Sequence, residues 1–491
     1  MKLYIDTLGC FKNTEDSERA AGLLAGTGAE CVDTPEEADI LLVNTCGFIE
    51  DAKRESIERI LELAQFKEDG KKLIVTGCLA QRYGAELFEE IPEADAVLGV
   101  NDYGKLPVIA ARLYADRLSE QAGEAGGEEA RTPEAGAQEA GAATEDAQSN
   151  GGSMNGDWKR FLAVDGAERL LVGRRVALSE RYSAYLKIAE GCSNCCAYCA
   201  IPAIRGAYRS VTMDDILRDA RQLAAEGTKE LILIAQDVTA WGIDLYGKYA
   251  LPDLLRFLCR VEGIEWIRLL YCYEERITDE LIRVMAEEPK ILHYIDIPLQ
   301  HVNDALLARM NRRTTKASIK QTMTRLRQAM PDIAIRTTFM TGFPGETEAD
   351  FQELMDFVSA QRFARMGVFR YSAEEGTAAA DMEDQVPITV AEERRERLML
   401  RQLDISLENN KALIGSVMTV MVEGREGDGV WVGRTYMDAP EIDGGVLFES
   451  CRNYRPGDMT KVRIQDAMDY DIIGVDVDGH RPSLPLKWEQ V

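Results

Sequence analysis

Along the first 118 positions apolar residues follow two alternating rhythms. Short apolar runs, "KLYIDTLG", "ADILLVNT" and "KLIVTG", read as buried strands. Between them, "NTEDSERAAGLLAGTG" and "FIEDAKRESIERILELAQF" read as amphipathic helices, with Asp51, Arg54 and Glu55 on the polar face of the second. Strand and helix in alternation predict an open parallel α/β sheet for residues 1–118. The rhythm stops at 119–157, where Ala, Gly and Glu dominate and large apolar side chains are almost absent. Such a stretch buries too little surface to offset its ordering entropy, so it is expected to be a disordered acidic linker. Alternation resumes over 178–408 with "YLKIAEG", "ELILIAQD", "WIRLLYC", "YIDIPLQ", "AIRTTFMTGFPG" and "MGVFRYS", and with helices such as "TMDDILRDARQLAAEG" and "TEADFQELMDFVSAQ". This predicts a partial (β/α) barrel, whose ligands gather at the C-terminal strand ends. The run "VAEERRERLMLRQLDISLENNKALIG" is expected to be a charged helix leaving that barrel. Residues 411–491 hold short strands split by Gly and Asp, the pattern of a small antiparallel β-barrel.

Composition narrows the function. A chain of 491 residues that is 46% hydrophobic has room for about three domains with real cores. Its formal net charge of −27 opposes phosphate binding and suits a basic partner. No run approaches the roughly 18 apolar residues of a membrane span, and the start lacks a signal-peptide pattern. No membrane association and a cytoplasmic location are therefore expected. In that compartment eleven cysteines point to metal ligands or reactive thiols rather than to disulfides.

The densest cysteine stretch is "EGCSNCCAYCAIP". Cys192, Cys196 and Cys199 have the spacing Cys-x3-Cys-x2-Cys. Three thiolates on one loop can hold three irons of a [4Fe–4S] cluster and leave the fourth open to a cofactor or substrate. Four-cysteine zinc sites use two separated pairs instead. Spacing alone leaves the middle ligand open between Cys195 and Cys196. With Tyr198 just before the last cysteine, the motif resembles that of radical S-adenosylmethionine enzymes. The resemblance implies an α/β partial barrel, with the amino and carboxyl groups of S-adenosyl-L-methionine on the unique iron. It also implies one-electron cleavage to a 5′-deoxyadenosyl radical that takes hydrogen from an unactivated carbon. It assigns Cys196 as the middle ligand and makes Cys195 a bystander.

Cys10, Cys46 and Cys78 each follow a strand run and stand beside Gly9, Gly47 and Gly77. In a parallel sheet those ends share one edge, where open α/β folds bind ligands, and glycine allows a bulky group to approach the backbone. Cys31 leads into a strand and is expected at the opposite edge; like Cys259, Cys272 and Cys451 it reads as a small buried hydrophobe. The triad is similar to the N-terminal domain of the methylthiotransferase family. That implies a second [4Fe–4S] cluster on Cys10, Cys46 and Cys78, again with one iron lacking a protein ligand and holding the sulfur to be inserted. The resemblance covers nearly the whole chain, with a TRAM-like barrel at the end. Phe11, where relatives often have proline, and the length of the 119–157 stretch depart from the pattern.

The stretches "GCFKNTEDSE", "LIAQDVTAWGIDLYG", "YIDIPLQHVNDALLARMNR", "RTTFMTGFPGET" and "YSAEEGT" look like the ribosomal-protein branch of the family. That branch implies methylthiolation of an aspartate β-carbon in a basic small-subunit ribosomal protein (number twelve), with an electron donor such as flavodoxin or ferredoxin. His301 stands where a Ser-Gly pair is expected in the tRNA-modifying branch. Residues 411–491 carry nine Lys and Arg against fourteen Asp and Glu, which suits a basic protein and argues against direct RNA binding. Tyr198, Gln236, Asp237, Gly342, Gly345 and Glu346 are candidates for positioning S-adenosylmethionine. A tRNA adenosine methylthiotransferase and a non-catalytic iron–sulfur carrier or scaffold are the alternatives.

Overall fold

Six parallel strands form the first sheet of the computed structural model, which describes residues 1–125, 160–164, 166, 170–178 and 181–479. In chain order the elements are β1 (Lys2–Thr7), α1 (Phe11–Ala25), β2 (Glu30–Cys31), β3 (Ile40–Thr45), α2 (Glu50–Ala64), β4 (Lys72–Gly77), α3 (Cys78–Glu90), β5 (Ala96–Leu98), α4 (Leu106–Ala125) and β6 (Phe161–Ala163). The sheet order is β2-β1-β3-β4-β5-β6. Leu41, Val43, Leu73, Val75 and Val97 pack on one face against Ile60 and Leu63 of α2 and Leu79, Ala80 and Leu87 of α3. α4 runs to Ala125, so the first residues of the 119–157 stretch are helical: "SEQAGEA" is made mostly of good helix formers and simply extends the helix. The rest of that stretch lies outside the described residues.

The chain divides into two compact units, Met1–Gly9 with Ala20–Gly47 and Asp51–Ala167, and Cys10–Arg19 with Phe48–Glu50 and Glu168–Val491. The second contains β7 (Ser183–Lys187), β8 (Ala189–Glu190), α5 (Ile201–Arg205), β9 (Arg209–Ser210), α6 (Met213–Ala225), β10 (Glu230–Ile234), α7 (Ile243–Tyr246), α8 (Leu251–Leu258), β11 (Trp266–Leu269), α9 (Asp279–Glu287), β12 (Ile291–Gln300), α10 (Asp304–Arg309), α11 (Lys316–Ala329), β13 (Ala334–Thr341), α12 (Glu348–Gln361), β14 (Arg365–Arg370) and α13 (Ile388–Lys411). Its sheet runs β14-β13-β12-β11-β10-β7, all parallel, an open arc of sequential βα units. One face carries Leu231, Leu233, Ile267, Leu269, Ile295 and Ile335 into the helix layer.

A closed barrel follows, with β15 (Val417–Gly427), β16 (Val430–Arg434), β17 (Val446–Glu449), β18 (Met459–Ala467) and β19 (Ile472–Asp476) in the order β15-β16-β17-β19-β18. It is not wholly antiparallel, because β17 and β19 run in the same direction. The connection after β16 packs on the face of the arc opposite that helix layer. Ala439 and Met421 pack there with Ile232, Ile234, Trp266 and Tyr294. Tyr294 OH donates to Asp443 (2.7 Å), Arg336 Nε reaches Asp443 (3.2 Å), Arg365 pairs with Asp438, and Arg268 Nη1 donates to Tyr436 O (2.8 Å). Glu230 is fully buried between Arg268 (2.8 Å) and Arg434.

α13 does not leave the arc. Ala391, Arg394, Leu398, Gln402 and Ile405 form a buried stripe that packs onto β13, β14 and α12. Its polar members are bonded, Gln402 Nε2 to Phe363 O (3.0 Å) and Arg394 Nη1 to Glu346 O (3.2 Å). A narrow stripe of mixed polarity among many charges hides the buried face from a hydrophobicity pattern. Among the described residues no helix is long and apolar enough to cross a membrane.

Candidate active site

The C-terminal strand ends of the first sheet carry two of the cysteines. Thr45 of β3 pairs with Gly77 of β4, so Cys46 and Cys78 follow at neighbouring positions past one edge. β1 lies beside β3, and Leu8 N–H donates to Asn44 O (2.9 Å) just before Gly9. Gly77 has φ +101°, and a Cβ there would collide with the Thr45 carbonyl, so the turn that places Cys78 at the start of α3 requires glycine. A Cβ on Gly47 would stand 2.8 Å from Leu79 Cα. Buried Ser56 of α2 clamps Cys46, accepting from its N–H and donating to its carbonyl, each at 3.0 Å. Cys46 and Cys78 are buried. Cys31 is half-buried and pairs with Leu3 near the N-terminal end of β1, at the other edge of the sheet.

Cys10 caps α1: its carbonyl accepts from Asn13 N–H (2.7 Å) and Thr14 N–H (3.3 Å). Burial pushes its thiol up, but Lys12, Arg205 and the Asn13 and Lys12 amides outweigh burial and bring the net shift down. Lys12 Nζ stands 3.4 Å from the Tyr271 ring centroid, and Phe11 stacks on Tyr185 at 4.5 Å. Residues 11–19 are buried around almost the whole helix, charged residues included, so this turn is not amphipathic.

The second cysteine set occupies the loop between β8 and α5. Gly191 has φ +78°, and a Cβ there would collide with the Ala207 carbonyl. Cys192 N–H donates to Gly206 O (3.0 Å), Ala197 N–H to Met310 O (3.0 Å) and Cys199 N–H to Cys196 O (3.1 Å). Ala197 packs with Leu306, Met310, Phe343 and Ala379, with Tyr198 against this cluster. Cys192 and Cys196 are buried, Cys199 is half-buried and Cys195 is exposed. Burial raises the Cys192 thiol and pushes that of Cys199 up to about 12. Cys196 Sγ lies 3.7 Å from Tyr273 OH, and the Arg312 guanidinium stacks 4.5 Å from the Tyr273 ring centroid. Asn194 is tied to Asp237 (3.2 Å) and to Arg276 (2.8 Å), and Arg276 to Asp237 (2.6 Å).

Buried charges brace this loop. Arg205 Nη1 reaches Asp16 (2.9 Å) and Glu190 (3.0 Å), and its Nη2 donates to Asn13 Oδ1 (2.7 Å). Lys187 Nζ reaches Glu190 (2.9 Å), Glu15 (3.1 Å) and Asp16. Gln236 Nε2 donates to Glu190 Oε1 (2.8 Å), while Gln236 Oε1 is buried with no hydrogen-bond partner among the described residues. Burial pushes the Glu190 carboxyl up, but Arg205 and Lys187 outweigh it and hold it well below the usual range.

The "TGFPGE" turn follows β13. Gly342 (φ +75°) donates its N–H to Glu346 Oε2, and a Cβ would collide with Ala391. A Cβ on Gly345 (φ +84°) would lie 2.6 Å from Arg309 Nη1. The close approach at both glycines is thus to protein. Burial pushes the Glu346 carboxyl up to about 7 against the pull of Arg394. His301 is fully buried; its Nδ1 accepts from Asn303 N–H (3.0 Å), and burial pulls it down to about 4. Cys272 is buried as expected, Cys259 half-buried, and Cys451 exposed on the C-terminal barrel.

Three family profiles match, described as uncharacterized protein family UPF0004 over residues 2–99, the radical SAM superfamily over 186–358 and the TRAM domain over 414–477. A "Ribosomal protein uS12 methylthiotransferase RimO" of Thermoanaerobacter sp. (strain X514) is 44% identical over 96% of this chain and 98% of its own. A protein of the same name from Lachnoclostridium phytofermentans is 45% identical over 96% of this chain and 99% of its own. The chain belongs to the ribosomal protein uS12 methylthiotransferase family. Two structures of the radical S-adenosylmethionine methyltransferase TsrM from Kitasatospora setae share the fold. One, with cobalamin and a [4Fe–4S] cluster bound, aligns at TM-score 0.51 over 88% of this chain and 80% of its own; the other, with tryptophan and aza-SAM, at 0.53 over 82% and 89%, both at 14% identity.

For a uS12 methylthiotransferase, the donor sets can be tested against the groups the family implies. Among the described residues no three His, Cys, Asp or Glu side chains converge as the ligands of a single metal ion do. A four-iron cluster takes one thiolate per iron, so its ligands stand apart. Cys192 and Cys196 are buried and Cys199 is half-buried, whereas Cys195 is exposed, so the three thiols of the Cys-x3-Cys-x2-Cys spacing are the more sheltered ones of this loop. Sequence reasoning missed Asn194, Tyr273, Arg276 and Arg312 around this uS12 methylthiotransferase loop, and the Asp16–Lys187–Glu190–Arg205 network behind it. The only signal was charge density on every side of the "KNTEDSER" turn, too much for one solvent face.

Proposed function

We propose that this protein methylthiolates the β-carbon of an aspartate in ribosomal protein uS12. Cys192, Cys196 and Cys199 hold one [4Fe–4S] cluster, to which S-adenosyl-L-methionine binds, and Cys10, Cys46 and Cys78 hold a second. When bound, these groups supply one-electron chemistry able to remove hydrogen from an unactivated carbon, and a sulfur to place there. The observation that carries this reading is near-full-length identity to uS12 methylthiotransferases. The burial of Cys196 against the exposure of Cys195 supports Cys196 as the middle ligand. The adjacency of Thr45 and Gly77, and the downward shift of the Cys10 thiol, support the second triad.

The chain's own residues hold and shield. Gly191 turns the backbone, Glu190 and Arg205 fix the two flanks of the cysteine loop, and the Asp237–Arg276–Asn194 bonds keep its first turn from moving. Ala197 and Tyr198, packed on Phe343 and Met310, keep water from one side. Tyr198, Gln236, Asp237 and Glu346 remain the proposed polar groups around S-adenosylmethionine. The basic substrate meets an acidic chain, an electron donor such as flavodoxin or ferredoxin supplies reducing equivalents, and the setting is the cytoplasm.

Two measurements test this. Anaerobic reconstitution should give about eight irons per chain; Cys196→Ala should lose about four, and Cys195→Ala none. In a deletion strain, mass spectrometry should show unmodified uS12 with intact thiomethylated tRNA. Loss of thiomethyl groups from tRNA alone would move the assignment to the tRNA branch. An iron-loaded protein that does not cleave S-adenosylmethionine would be a carrier.

A further inference from the structure

The charged turn after Cys10 belongs to the same compact unit as the Cys192 loop, and it meets that loop through buried charges. Arg205 is 1% exposed, and its guanidinium reaches Asn13, Asp16 and Glu190. Asn13 (2.7 Å) and Asp16 (2.9 Å) lie on the turn that Cys10 caps; Glu190 (3.0 Å) lies two residues before Cys192. Arg205 itself ends α5, the helix that leaves the cysteine loop after Cys199. Lys187 repeats the bridge, joining Glu15 and Asp16 on one side to Glu190 on the other. Asn13 N–H in turn donates to the Cys10 carbonyl (2.7 Å). One residue therefore links Cys10, by two successive hydrogen bonds, to both flanks of the other cysteine loop.

Stability does not account for this arrangement. Buried ion pairs roughly break even against apolar residues of the same volume, because desolvation offsets attraction. Apolar attachment of the turn already exists in Phe11 stacked on Tyr185. What a planar, forked donor adds is a fixed mutual placement of its partners, which a lysine cannot reproduce.

We infer that Arg205, with Asp16 and Glu190, is a positioning residue that sets Cys10 against the Cys192–Cys199 loop. In the proposed function, which this inference rests on, that placement determines how often hydrogen removal is followed by sulfur insertion. A misplacement of about 1 Å costs on the order of a hundredfold in a step needing close approach, while a step within the Cys192 loop alone is spared.

The test compares Arg205→Lys and Asp16→Asn with wild type, and with Arg19→Lys as control. Arg19 is as buried as Arg205 and lies on the helix of Asp16, but it pairs with Glu15, Asp219 (2.8 Å) and the Gly173 carbonyl (2.9 Å) and has no bond to Glu190 or Asn13 among the described residues. Two readouts are taken on full-length protein. The first is 5′-deoxyadenosine formed per thiomethyl group placed on uS12. The second is the alkylation rate of Cys10 in iron-free protein, with Cys31 as internal reference. The expected result is a rise of about tenfold in the ratio for both variants, with iron content kept, faster Cys10 alkylation, and neither change in Arg19→Lys. An unchanged ratio in an active Arg205→Lys protein overturns the inference alone. Equal changes in Arg19→Lys overturn it as well, since the effect would then be general loosening. If either variant fails to load iron, the alkylation rates decide, and an unchanged Cys10 rate overturns it. Wild-type protein that leaves uS12 unmodified removes the functional reading, and this inference with it.

Discussion

At the scale of single residues, two buried side chains titrate in opposite senses. His301 is pulled down to about 4 by burial, while Glu346 is pushed up to about 7 by the same cause. Between about pH 4 and 6.5 an unfolded chain binds a proton at the histidine that the folded chain refuses, so stability falls as pH drops. Between about pH 4.5 and 7 the folded chain keeps a proton at the glutamate that the unfolded chain has lost, so stability falls as pH rises. Glu346→Gln imitates the protonated form and removes only the second slope. Relative to wild type, its stability should rise from pH 4.5 to 7 by at most about 3 kcal/mol, read from thermal or urea melts at several pH values. A difference that does not vary with pH would mean Glu346 does not titrate in that window. None of this was legible in the sequence. There His301 reads only as a strand-end histidine in a branch-specific stretch, because burial comes from residues far along the chain.

At the scale of elements, the strand ends were legible and the charged helices were not. Three cysteines behind three apolar runs predict one sheet edge because parallel strands put their C-terminal ends together, and Thr45 beside Gly77 sets Cys46 and Cys78 at neighbouring strand ends. The first turn of α1 and the stripe of α13 escaped, since both bury charges that pair with distant segments. The cysteine loop depends on one glycine. Gly191→Ala puts a Cβ into the Ala207 carbonyl at a φ of +78°, so the turn must open and carry Cys192 with it. The variant should keep the first unit folded yet lose about half its iron on reconstitution, with S-adenosylmethionine cleavage abolished. Full iron content in that variant would show that the loop tolerates the strain.

At the scale of the whole second unit, the C-terminal barrel is an internal part of the catalytic fold. Its connection after β16 places Asp438 and Asp443 among Arg336, Arg365 and Tyr294. Sequence reading gave a barrel and its acidity, but not where those acids go, since two of the fourteen neutralise arginines of the arc instead of facing a partner. Glu230 is the keystone between Arg268 and Arg434, and those arginines hold its carboxyl down to about 2 although burial pushes it up. Its folded value lies below the unfolded one, so its contribution is present above about pH 4.5 and is lost as pH falls toward 2. Glu230→Ala leaves the buried Arg268 guanidinium without a carboxylate and Arg434 with Glu423 alone (2.6 Å), and should destabilise by about 3–5 kcal/mol at neutral pH. Denaturant unfolding would register it, and a loss under 1 kcal/mol would mean water reaches both arginines.

The contacts of residues 436–443 with the arc also dictate an order of events while the chain is being made. Translation delivers β7 to β14 before residues 434–443, so Arg268 already has Glu230 and Arg336 already has Asp296, while Arg365 waits for Asp438 and Tyr294 for Asp443. A nascent chain halted after α13 would therefore leave the Arg365 guanidinium and the Tyr294 hydroxyl without their acidic partners, and this face of the arc is completed only when residues 434–443 arrive.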